Sequence, residues 1–159
     1  MNISNITSIG LDIETTKELG KGMNELLANY QVYKQNLQGL HWNIRGKSFF
    51  ELHLKFEELY TDANEKIDMI AERVLTLGEV PLHNFNAYSK IASVPEGNNV
   101  TSDVEAVQLV VQSITQLLLL ERNLLNLSDE GEDEGTNSLM SDLISEQEKT
   151  MWMFKAWLN

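Results

Sequence analysis

The chain contains two prolines, Pro81 and Pro95, and both fall in one window. On either side of it, apolar residues recur every three or four positions over runs far longer than a strand. Leu19, Met23, Leu26, Tyr30, Tyr33, Leu37, Leu40 and Ile44 form one such stripe and predict a helix from about Thr16 to Ile44. Thr15 and Glu18 read as its capping box, and Gly46 as its stop. A second helix is expected from Phe49 to Leu77, opened by Ser48 and Glu51 and closed by Gly78 and Pro81. A third opens with Ser102 and Glu105 and runs to about Leu127, and a fourth runs from about Asn137 to Leu158. Between the last two lies an acidic stretch, Asp129–Gly135, read as a loop. The stretch from Pro81 to Val100 is a crossover in which Phe85 and Tyr88, three apart, suit a short helix. No run alternates with period two between turn signals, so no sheet is expected. The expected fold is all-α: a four-helix bundle with a short helix in the crossover between the second and third long helices.

The 159 residues fit one domain spanning 1–159, with a flexible N-terminal segment over 1–14. There is no cysteine, which excludes a disulfide framework, a thiolate metal site and a thiol nucleophile. Lys and Arg number 12 against 24 Asp and Glu, a net charge of -12. Such a surface repels DNA phosphates and anionic lipid and attracts cations. No leader is visible, and the longest leucine run, Leu117–Leu120, is short of a membrane helix, so a cytoplasmic protein without a membrane role is expected.

Phosphate loops, HExxH and GxSxG are absent, which leaves His and carboxylate on helices, the ligand types of iron, zinc or manganese. The histidines are His41, His53 and His83, and none sits in the Glu-x-x-His motif of an intrasubunit di-iron bundle. On the second helix, with His53 at 0°, Glu57 falls near 40°, Asp68 near 60° and Glu72 near 100°, all at the edge of the apolar arc. His53 and Asp68 are nonetheless roughly 22 Å apart along a straight helix, too far for one ion. Either one group alone forms a ligand set, or a two-fold axis completes it by bringing Asp68 and Glu72 of one chain to His53 of another. His41 returns through the short turn and could join His53. On spacing alone His41 is equally a histidine packed at a helix end, and Asp68 with Glu72 equally a solvated face. Glu57 reads as surface and His83 as a loop residue.

The segments Leu40-His41-Trp42-Asn43-Ile44-Arg45-Gly46, Phe49-Phe50-Glu51-Leu52-His53, Asp68 with Ala71-Glu72-Arg73, and the closing Trp152-Met153-Phe154-Lys155-Ala156 together resemble the Dps family of miniferritins. The resemblance runs from about Leu19 to Leu158 and implies a ferritin-like bundle assembled into a hollow homo-dodecamer. It implies ferroxidase centres at two-fold interfaces with His41, His53, Asp68 and Glu72 as ligands and catalytic residues, and Trp42 as an aromatic beside them. It also implies iron as the bound metal, Fe(II) oxidised by hydrogen peroxide or dioxygen, ferric mineral stored in the cavity, and protection against oxidative stress. Asp129 and Asp133 fall where the family forms its three-fold pores. Many members bind DNA through a Lys/Arg-rich tail, whereas residues 1–16 hold no Lys or Arg. The alternative reading, a nucleoid protein that coats DNA, is therefore disfavoured, and DNA binding is not expected.

Overall fold

The computed structural model describes residues 5–159. They fold into five helices: α1 Ile13–Asn43, α2 Phe49–Thr76, α3 Phe85–Ile91, α4 Asp103–Glu130 and α5 Glu134–Leu158. The expected all-α bundle is what the stripes build. α1 packs along α2, α4 along α5, and α1 also against α4 and α3. Leu19, Met23, Leu26, Tyr30 and Leu37 of α1 meet Phe56, Ala63 and Ile70 of α2, Ile114 and Leu117 of α4, and Met140 of α5 in one core. α4 is long and apolar enough to cross a membrane by length and composition, which the leucine run did not suggest. Its Val107, Val110, Ile114 and Leu117 are spent on this core.

Several boundaries depart from the expected ones. α1 starts earlier than predicted, because the Asp12 carboxylate takes the Thr15 amide at 3.0 Å and caps the helix. Thr15 is thus inside the first turn, and the Thr15–Glu18 box does not form. Ser48 does precede α2, but its side chain makes no capping bond. Ser102 caps α4 by accepting from the Glu105 amide. The acidic stretch contracts to Gly131–Asp133, since α4 continues through Glu130 and Asp133 caps α5 by accepting from Thr136 N. Gly78, at φ +86°, takes the left-handed turn that ends α2. Of the segment 1–14 expected to be flexible, residues 1–4 lie outside the described residues. Thr7 N donates to Leu11 O at 2.8 Å within the rest.

The crossover is fastened to α1 by three asparagines. Asn24 bonds Val80 O and Leu82 N, Asn29 accepts from the amides of Ser93 and Val94, and Asn36 bonds Pro95 O and Gly97 N. Each satisfies backbone groups of a segment with little secondary structure of its own.

Candidate metal centre

The short link between α1 and α2 places His41, in the last turn of α1, against His53, in the second turn of α2. The two imidazoles stack with centroids 3.8 Å apart and planes 16° from parallel. His41 Nδ1 lies 2.7 Å from the backbone oxygen of His53, and His53 Nδ1 lies 2.8 Å from that of His41. A carbonyl can only accept, so each Nδ1 carries a proton and donates, which leaves Nε2 as the nitrogen available for a ligand bond. His41 O belongs to the end of α1, where helix carbonyls lack an intrahelical donor, and His53 supplies one. This reciprocal pairing sets both the tautomer and the orientation of two ligand-type nitrogens, as carbonyl partners of metal-binding histidines do.

Two neighbours that sequence reasoning missed complete the packing. Phe49 stacks on the other face of His53 at 5.0 Å, and Tyr60 meets His41 edge-on at 5.4 Å. Phe49 sits one turn before His53 and Tyr60 two turns after it, a spacing that could have flagged both. Trp42 beside them is 65% exposed.

Asp68 and Glu72 project from the same helix as His53, are exposed, and lie 15 and 19 residues further on. That is roughly 22 and 28 Å of helix. The structure therefore joins two of the four expected ligands and holds the other pair apart. Among the described residues, no three His, Asp or Glu side chains converge into a metal-binding group. The carboxylates nevertheless share their sector of α2 with four large apolar side chains that face outward. Phe50, Leu54, Met69 and Leu75 are 80%, 58%, 47% and 59% exposed. By helix geometry all four fall within about 120° of one another, around Asp68 and Glu72.

The remaining candidates separate cleanly. Glu57 is exposed, and His83 lies in the crossover with its Nδ1 2.9 Å from Pro81 O. Asp129 is exposed near the end of α4. Asp133 is 2% exposed, forms an ion pair with Arg73 at 2.5 Å and caps α5.

The chain matches the ferritin-like domain family over residues 20–159. It is 47% identical over 150 residues to an uncharacterised protein of Haemophilus influenzae, covering 94% of each chain. It is 39% identical over 148 residues to the DNA protection during starvation protein of Porphyromonas gingivalis, covering 93% of each. Among solved structures, the Dps protein of Vibrio cholerae O1 superposes with a TM-score of 0.96 at 48% identity, over 98% of both chains. That protein is described as a member of a broad superfamily of ferritin-like diiron-carboxylate proteins. The bundle with its α3-bearing crossover and these likenesses along the whole chain place the protein in the Dps family of ferritin-like proteins.

Proposed function

We propose that the protein is an iron-oxidising, iron-storing miniferritin whose oxidation centres are shared between two chains. The observation that carries this reading is the half-complete site. His41 and His53 are preorganised with Nε2 free, while Asp68 and Glu72 sit about half and about two-thirds of the α2 length away, among exposed apolar side chains. A two-fold partner crossing α2 antiparallel would bring Asp68 and Glu72 of each chain to the histidines of the other. The donor set suits iron as substrate. Imidazole and carboxylate both bind Fe(II), and the carboxylates favour the higher charge of the Fe(III) product. Each Fe(II) gives up one electron. A hydrogen peroxide molecule takes two, breaks its O–O bond and, with two protons, leaves as two waters. Dioxygen is the other oxidant the site could use.

Twelve such chains closed into a hollow shell would enclose the ferric product as mineral, and the charge of -12 per chain would draw Fe(II) toward it. Asp129, exposed beside the turn before α5, and Asp133 within that turn would line a path for the ion. Consuming peroxide with iron held in place would protect the cell from oxidative damage in the cytoplasm. The test is anaerobic loading with Fe(II), then peroxide, then air in a parallel sample, following ferric absorbance. Wild-type protein should oxidise the iron rapidly and keep the product soluble, and the double variant His41→Ala with His53→Ala should do neither at that rate. Equal rates in the two would overturn the assignment.

A further inference from the structure

The centre of the bundle holds a second cluster of polar side chains, remote in function from the paired histidines and built from all four long helices. Tyr30 of α1 donates to Glu121 Oε1 of α4 at 2.7 Å and accepts from Gln147 Nε2 of α5 at 2.9 Å. Glu121 is fully buried, and its second oxygen, Oε2, has no hydrogen-bond partner. The Tyr33 hydroxyl, also buried, has none either. At the edge of the cluster Lys66 of α2 is 7% exposed and is gripped by Asp62 of α2 at 2.5 Å and Glu146 of α5 at 2.6 Å.

A buried ammonium is costly unless opposite charge surrounds it. Burial works to lower the Lys66 pKa, but the hydrogen bonds and charges of Asp62 and Glu146 outweigh it and hold the group protonated. The same positive charge acts on Glu121, and Glu121 and Asp62 both act on Tyr33. Lys66 thus bonds two carboxylates, Asp62 and Glu146, whose side chains are 47% and 61% exposed, while two oxygens of the adjoining buried cluster, Glu121 Oε2 and the Tyr33 hydroxyl, have no partner. Oxygen donors contributed by facing helices are how bundles build metal sites in their cores. Here the carboxylates of Asp62 and Glu146 close on the ammonium instead of on each other.

We propose that the Lys66 ammonium is the resident cation of this oxygen-donor cage and closes the bundle core to divalent metal, so that metal is left to the histidine-bearing surface site. The inference goes beyond the iron-oxidation reading and rests on it only in naming the histidine site as the place left to metal. A lysine here is a specificity device: it supplies positive charge that cannot exchange, at the position where an ion would otherwise compensate Glu121, Asp62 and Glu146.

The experiment uses the full chain carrying His41→Ala and His53→Ala, to silence the surface site, and Co(II) alone as the probe. Co(II) absorption separates an enclosed site of low coordination number from hexa-coordinate ions on the acidic exterior. Adding Lys66→Met, which keeps the length and removes the charge, should create one enclosed Co(II) site per chain. Lys66→Arg should create none, and Glu121→Gln on top of Lys66→Met should abolish the new site. A folded Lys66→Met protein with no extra Co(II) would overturn the proposal. So would a gained site that survives Glu121→Gln, or an enclosed site already present with Lys66 intact. If Lys66→Met does not fold alone, Co(II) added during refolding should restore the helical signal by replacing the lost charge. Failure with and without the metal overturns the proposal equally.

Discussion

Asp133 Oδ1 lies 2.5 Å from the Arg73 guanidinium, joining the turn before α5 to the last turns of α2 across 60 residues of sequence. The same carboxylate accepts from the amide and hydroxyl of Thr136, and Gly135 leaves the room Arg73 occupies, since a Cβ there would come within 2.8 Å of the guanidinium. Burial works to raise the Asp133 pKa, but the bonds from Thr136 and Arg73 prevail and hold it below the usual value. Asp133→Asn removes a cap bond's charge and strands a guanidinium that is 19% exposed. Its expected cost is about 2–4 kcal/mol in chemical denaturation at pH 7. A native pKa below the unfolded one stabilises above the unfolded value and loses that contribution as pH falls. The gap between wild type and variant should therefore narrow as pH drops through about 4.

Glu121 carries the opposite linkage. Burial pushes its pKa up to about 7, against the Tyr30 hydrogen bond and the charges of Lys66 and Arg122 that work to lower it. An unfolded glutamate titrates near 4.3, so the native state holds the proton more tightly and loses stability as pH rises from about 4.5 to 7. Glu121→Gln keeps an acceptor for Tyr30 and removes the buried charge. It should leave stability near wild type at pH 4.5 and raise it by about 1–3 kcal/mol at pH 8, as read from denaturation midpoints. A variant equally stabilised at both pH values would mean that ionisation of Glu121 is not the cause.

These two residues also mark where the sequence stops being legible. The stripe from Leu19 to Ile44 reports burial directly, because a residue's place on a helix face follows from its spacing alone. The short link at Gly46 likewise brings His41 and His53 within reach of each other. Helix ends are different. Asp12 and Thr15 are both good caps, and the choice between them is made by local geometry, while Asp133 is chosen by Arg73, distant in sequence. Nothing in Asn64-Glu65-Lys66 marks Lys66 as buried, and its partner Glu146 lies far along the chain on α5. The stacking of the two imidazoles depends on carbonyl positions that no residue pattern encodes.

DNA binding follows from charge. Non-specific affinity for DNA comes chiefly from Lys and Arg neutralising phosphates, and this chain has twice as many acids as bases and no basic residue before Lys17. No gel shift of plasmid is expected at physiological salt without divalent metal, which could bridge acid to phosphate. A clear shift under those conditions would show a basic surface created by assembly.

The shared centre makes a prediction that a site within one chain does not. One variant carries His41→Ala with His53→Ala, and a second carries Asp68→Ala with Glu72→Ala. Each alone should assemble yet oxidise Fe(II) slowly, because every centre has lost half its ligands. Co-assembly should restore activity in part. In a mixed dimer, one centre takes intact histidines from the second variant and intact carboxylates from the first, and the other centre takes neither. Random pairing makes about half the dimers mixed, and each has one of two centres whole, so about a quarter of the centres should recover by symmetry. Mixed shells no more active than the separate variants would refute a centre built across the interface. Rapid oxidation by either variant alone would remove its substituted residues from the ligand set. The recovered fraction distinguishes the arrangement further, since a centre drawn from one chain only would recover nothing however the variants pair.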